Sequence, residues 1–367
     1  MFYYPYEKSF LQKFTGTVTN PAEVEYMVTQ LHLPERLCHV CIEAGEIIKK
    51  DLENIHNETV YYFCPTEPIP FLTPNAIKHI DHTCRKNNNH FYIVHSNLFD
   101  RLSEYYDETT NVHFINNILL NIGRAYKESL QYIKQDIEYN FDRAFINLNN
   151  KGRYNRYLLM DEIYKQGLEN AGYISWMSRQ DSNDPFNFAI DYDLQHFHGN
   201  TMTLDNNINY LDESINASGL VNICTEIFDY YFDVRNISEK TMYALMSEKP
   251  FIVLGAEHNN TVYKKYGFEL YTELFDYGFD ASETLQERVE GIVDNLKNIV
   301  GKDYNKLYQD VKEKAVYNKK QFISVIQKEL DDNVDEIILN IMDKDHNHPD
   351  MILHKEYYNG LIQLLEN

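Results

Sequence analysis

No run in the 367-residue sequence approaches the roughly 20 consecutive apolar residues that a membrane-spanning helix needs, so no bilayer span is expected. The opening stretch MFYYPYEKSFLQKF lacks the charged-then-apolar order of a secretory leader, and the expected compartment is the cytoplasm. Cysteine is scarce. Five thiols, an odd number scattered through apparent strands and loops, fit reduced and buried side chains better than a disulfide framework. Positive charge is also in short supply, with 34 Lys and Arg against 56 Asp and Glu and a formal net charge of -22. Such a field repels a nucleic-acid backbone, which makes DNA or RNA a disfavoured partner. Asn-x-Ser/Thr sites at Asn57, Asn216, Asn236 and Asn259 carry no glycosylation reading without a leader.

What is present has the balance of a globular protein: 43% hydrophobic and 25% charged residues. The length is large for one core and favours two domains. Apolar runs alternate with helical patterns in RLCHVCIEAGEIIKK, TVYYFCP, PNAIKHIDHTCRK and HFYIVHSN, which predicts a mostly parallel sheet covered on both faces. Within the first of these, Cys38 and Cys41 of CHVC have zinc-knuckle spacing but no second pair, and their apolar context reads as strand packing. Residues 111–140 read as a helix, with Ile115, Ile118, Leu119 and Ile122 at helical spacing. A second alternating series follows: RAFINLNN, a helix over 154–170, LVNICTE, SEKTMYALMSE, KPFIVLGA and NNTVYKKYGF. Beyond Ser282 the pattern is helical almost to the end. The expected division is an α/β lobe over 1–140, a second α/β lobe over 141–300 and a helical segment over 301–367.

Ligands of open α/β sheets bind beyond the carboxyl ends of strands, where helix N-termini present unpaired amides that favour phosphate. NISEKTMYALMSEKPFIVLGA has this layout, with Ser238 as N-cap and Glu239 and Lys240 in the first turn ahead of an apolar strand. A lysine there opposes the helix dipole and calls for solvent or an anion. A carboxylate beside it suits the paired hydroxyls of a ribose. In NNKGRYNRYLLMDEI, Arg153 and Arg156 lie three apart at a helix start, on one face, where guanidinium groups can clamp phosphate oxygens. Glu226 ends an apolar strand in VNICTEIFDYYFDVRNISEKT. Taken singly, each feature also reads as solvated surface charge.

Together, a strand ending in Glu, an aromatic-rich loop, an "EK" helix start and KPFIVLG resemble the donor-binding region of fucosyltransferase-like glycosyltransferases. The match is closer to phage-type and bacterial relatives whose pattern reads TExx…ITEKTxKxxxxxxPFIxxG…LGFxTF; here YGFELYTELFDYGFD supplies the last part, with Phe268 and Tyr271 in its aromatic positions. The resemblance covers about residues 145–295. It implies two Rossmann-like lobes of the GT-B plan, with a nucleoside-diphosphate sugar as donor substrate, a glycan or other hydroxyl acceptor, no metal and no further cofactor. It also implies a donor-binding set of Arg153, Arg156, Glu226, Ser238, Glu239, Lys240 and Thr241. In that set Arg153 or Arg156 together with Lys240 neutralises the diphosphate, Glu239 holds the ribose and Glu226 lies near the sugar or nucleotide. SEKT stands where the fucosyl enzymes have TEKL, and the intervening loop is longer, which leaves the sugar open.

Transfer to a hydroxyl also needs a base, and the candidates at predicted strand ends of the first lobe are Glu43, Glu67 and His95. Two alternatives remain. One is a metal-dependent transferase using Asp191 and Asp193 of DYD as an Asp-x-Asp motif; His196 and His198, or His346 and His348, read as solvated loop residues rather than ligands. The other is a non-catalytic nucleotide- or glycan-binding protein on an inactive transferase lobe.

Overall fold

The computed structural model describes residues 2–3, 20–30, 35–64, 74–95, 98–99, 109–116, 138–149, 154–176, 213–226, 234–235 and 238–331. The chain forms two compact units. One comprises Met1–Arg124, Tyr230–Asn236 and Lys328–Asn367, and the other Ala125–Asp229 and Ile237–Gln327. Each holds a parallel sheet with helices, an α/β character compatible with a Rossmann-like fold.

In the first unit the elements are β1 (Phe2–Tyr3), α1 (Pro21–Gln30), α2 (Glu35–Leu52), β2 (Thr59–Cys64), α3 (Pro74–Asn87), β3 (His90–His95), β4 (Leu98–Phe99) and β5 (Val112–Asn116). The sheet order is β1-β2-β3-β5, every pair parallel. Val60, Tyr61 and Tyr62 of β2 and Phe91, Ile93 and Val94 of β3 are buried, as expected of parallel strands covered on both faces.

Two expectations fail here. CHVC is helical, not strand: Cys38, Cys41, Ile48 and Leu52 repeat at helical spacing and are all fully buried. A Cβ added at Gly45 would lie 2.5 Å from the Ala76 Cβ, so this glycine lets α2 and α3 approach closely. The expected helix over 111–140 is replaced at its start by β5, whose residues pair with β3 from Phe91↔Val112 to His95↔Asn116, and residues 138–142 are non-helical as well. Residues 117–137 lie outside the described set. Val112, Phe114 and Ile115 are as good in a strand as in a helix, and the partner strand decided between them.

The second unit contains β6 (Arg143–Asn149), α4 (Tyr154–Lys165), β7 (Gly172–Trp176), α5 (Glu213–Ser218), β8 (Gly219–Thr225), α6 (Glu239–Met246), β10 (Phe251–Leu254), α7 (Asn259–Lys265), α8 (Leu285–Ile299) and α9 (Tyr304–Asp331). Between β8 and α6, β9 (Val234–Arg235) pairs antiparallel with β4 and belongs to the first unit. The second sheet runs β10-β8-β6-β7, again all parallel. β8, inside that order, and β10, at its end, are buried almost throughout, as parallel strands covered on both faces should be. The aromatic positions of the YGFELY segment are core: Phe268 and Tyr271 are buried, and Tyr263 and Tyr271 each meet Phe251 edge-on, with centroids 5.5 and 5.6 Å away.

Candidate functional site

Site geometry begins where β8 stops. Glu226 N donates to Leu254 O at 2.8 Å, which carries the β8–β10 pairing one residue past Thr225 and draws Glu226 into the interior at 1% exposure. Its Oε1 accepts from Ser238 Oγ at 2.7 Å and from Thr241 Oγ1 at 3.3 Å. Ser238 is the N-cap of α6, its Oγ accepting from Lys240 N at 3.3 Å. Tyr263 OH extends the chain by donating to Thr241 Oγ1 at 3.2 Å. Burial, then the nearby Glu226 charge, pushes the Tyr263 hydroxyl well above its ordinary range, so it acts as a donor. A buried carboxylate thus fixes the first turn of α6 against the end of β8. Two serine/threonine hydroxyls carry the link.

A second arm of polar contacts lies beside it. Asn149 Nδ2 donates to Asn147 Oδ1 at 2.6 Å, Thr225 Oγ1 donates to Asn149 Oδ1 at 3.0 Å, and Asn149 N donates to Ser175 Oγ at 3.1 Å. Asn155, in the first turn of α4, donates from Nδ2 to Glu226 O at 2.7 Å and accepts from Arg156 N at 2.8 Å. All of these side chains are buried. The carboxyl ends of β6, β7 and β8 and the starts of α4 and α6 are therefore joined by one polar network, at the edge where parallel sheets take ligands.

Of the residues singled out in the sequence, Glu226, Ser238 and Thr241 come together directly, and Arg156 lies buried at the start of α4. Lys240 is only 8% exposed and lines a cavity of about 30 Å³ with Ile146, Leu148, Ile215 and Tyr243. That placement contradicts a reading as plain surface charge. Glu239 opens α6. His95 ends β3, paired with Cys64 and Asn116. Glu43 is not at a strand end: it is buried within the 18-residue helix α2. Arg153, Glu67, Asp191, Asp193, His196, His198, His346 and His348 lie outside the described residues.

Sequence reasoning missed Asn147, Asn149, Ser175, Thr225 and Asn155. A signal was available for two of them. In FINLN the asparagines sit two apart, on one face of a strand, where an apolar side chain would otherwise pack. Lys249 was missed too. It is fully buried at the entry to β10, and its Nζ donates to Asn216 O at 2.8 Å and to Asn216 Oδ1 at 3.2 Å. Desolvation holds this amine well below the ordinary lysine range, against an opposing effect of Cys224.

Among the described residues no group of three or more His, Cys, Asp or Glu side chains is placed to hold a metal ion, and no helix is long and apolar enough to cross a membrane. No family model, no curated protein and no solved structure gives a significant match to this chain.

Proposed function

We infer that this chain transfers a sugar from a nucleoside-diphosphate donor to a hydroxyl acceptor, with the donor bound beyond the carboxyl ends of β6, β8 and β10. The observation that carries the reading is the Glu226–Ser238–Thr241 lock, which fixes the start of α6, and with it Glu239 and Lys240, at the ligand-binding edge of a parallel sheet. It agrees with the strand-Glu then "EK"-helix order of the fucosyltransferase-like enzymes. The two-lobed GT-B plan is part of the same proposal.

In the proposed reaction the acceptor oxygen attacks the anomeric carbon, the bond from that carbon to the diphosphate oxygen breaks, and the acceptor proton passes to a base. Lys240, Arg153, Arg156 and the first amides of α6 stabilise the charge that grows on the leaving diphosphate. Such preorganised groups contribute on the order of 3 kcal/mol each. Glu226 serves as a positioning residue, since its Oε1 is engaged with Ser238 and Thr241. For the base, His95 stands at a strand end in the first unit and Glu67 follows β2 in the sequence. Glu43 is the weakest candidate, being held inside a helix.

The test is a thermal-shift panel of GDP, UDP, CDP, ADP and dTDP, each with and without manganese, on the full chain and on Lys240→Ala and Glu239→Ala. One nucleotide should raise the melting temperature without metal, by an increment equivalent to about 2.7 kcal/mol at a hundred times its dissociation constant, and both variants should lose the rise. A rise that requires manganese would shift the site to Asp191 and Asp193. No rise with any nucleotide would overturn the donor site.

A further inference from the structure

The first unit carries a pair of histidines that the proposed reaction does not use. His90 opens β3 and His113 lies near the start of β5, the strand that ends the sheet order. In the parallel register Tyr92 faces His113, so His90 and His113 are diagonal neighbours on the same face of the sheet. His90 Nδ1 and His113 Nε2 are 3.0 Å apart, with ring centroids 5.3 Å apart, and the two nitrogens therefore point at one another. Without a ligand, one proton between them makes this a hydrogen bond. His113 is further held by the Tyr92 ring, centroids 4.6 Å apart, and Tyr92 stacks on Tyr61 at 5.6 Å. His90 is exposed, so one side of the pair is open to water.

We propose that His90 and His113 are the two protein ligands of a divalent-cation site of the zinc class, which clips β5 to β3 at their amino-terminal ends. Zinc–imidazole bonds of about 2.0–2.1 Å at a tetrahedral angle need the two nitrogens roughly 3.3 Å apart, only a few tenths of an ångström beyond their present separation. The cation takes the place of the shared proton, which moves through water to the outer nitrogen of the ring that carried it, so that both imidazoles bind as neutral ligands, and water fills the remaining positions. Imidazole nitrogens select borderline metals such as zinc, nickel and copper over magnesium and calcium. The site lies at the ends of β3 and β5 opposite to His95 and Asn116, away from the edge where an α/β sheet does chemistry, so its effect is on the stability of the edge strand.

The experiment uses the full chain stripped with EDTA. Zinc is titrated calorimetrically, cobalt is added as a spectroscopic probe, and thermal unfolding is followed with and without zinc. The variants are His90→Gln, His113→Asn and, as a control for surface histidines on α3, His79→Ala. The expected result is one zinc bound per chain with a raised melting temperature, at least tenfold weaker binding in both His90→Gln and His113→Asn, and no change in His79→Ala. His90 is exposed, so its variant should keep the fold and circular dichroism will verify that. Zinc binding that is absent in the wild type, or equal in all variants, would overturn the site and leave a hydrogen-bonded pair only. Because the readout involves no nucleotide, its failure is separable from failure of the donor site.

Discussion

In the first unit Asn89 and Asn111 sit where the chain enters the sheet, whereas in the second Asn147 and Asn149 sit where β6 leaves it. Asn89, just before β3, accepts from Glu58 N at 3.0 Å and donates to Ile55 O at 2.9 Å, and Asn111 Nδ2 donates to Asn89 O at 2.8 Å. Asp81 Oδ1 in turn accepts from Thr110 N and Asn111 N. Each of these bonds pairs a side chain with backbone, and so each closes a loop. The second unit instead joins side chain to side chain, Asn147 to Asn149 to Thr225 and Glu226 to Ser238 and Thr241. Bonds of that kind are a minority in folded proteins, about 10–15% of the total. A sheet can close its loops without them, so their concentration at the carboxyl ends of β6 and β8 supports the proposed donor site.

The contrast is open to direct attack. The largest effect should come from Glu226→Ala, which removes the common acceptor of Ser238 and Thr241 inside the protein: a loss of about 3 kcal/mol in urea unfolding, together with loss of the nucleotide-dependent thermal shift. Asn89→Ala is its counterpart in the first unit and should cost about 2 kcal/mol while leaving the nucleotide shift intact. If Asn89→Ala abolished the shift as well, the distinction between loop closure and site would collapse.

Lys249→Met examines a buried amine that belongs to neither network. Burial holds the Lys249 amine well below its ordinary value of 10.5, so over that interval the unfolded chain binds a proton that the folded chain does not. Stability therefore rises with pH as 10.5 is approached from below and falls as pH drops toward the folded value, by at most about 1.4 kcal/mol per pH unit. Unfolding free energies of wild type and variant, measured from about pH 8 to 10, should diverge with that sign; parallel curves would show that the folded state keeps Lys249 charged.

The smallest effect belongs to Glu273, whose carboxylate accepts from Lys314 Nζ at 2.7 Å on the surface of the second unit. Partial burial pushes this carboxyl up, but the Lys314 hydrogen bond, a backbone hydrogen bond and the Lys314 charge together bring it below its ordinary 4.5. The contribution is present above that value and lost as pH falls through the lower folded one. Glu273→Gln should cost no more than about 0.5 kcal/mol at neutral pH, because the half-exposed carboxylate is screened by water, and nothing in strong acid.

Much of the second unit was legible in advance. The strands FINLN, NICT and FIVL lie where apolar runs place them, Ser238 caps the helix expected of it, and Glu226 follows the strand it was expected to end. The first unit was read less well. CHVC looked like a strand because a short apolar run has no period of its own, and only the continuation through Ile48 and Leu52 reveals the helical face. VHFIN reads as part of a helix against its neighbours in sequence, but its β-branched and aromatic residues suit a strand equally, and pairing with β3 makes it one.

By itself the sequence determined which segments are apolar enough to enter a sheet, where a helix could be capped, and that this acidic chain carries α/β units without a bilayer-spanning run. These are local properties, set by side-chain chemistry and spacing along one segment. Tertiary structure decided which polar groups would be buried together. Asn149 meets Thr225 across 76 positions of sequence, Asn155 meets Glu226 across 71, and Lys249 meets Asn216 across 33. A hydrogen bond acts only over about 3 Å and only along its donor direction, so partners that far apart in the chain are chosen by the fold that brings their segments together.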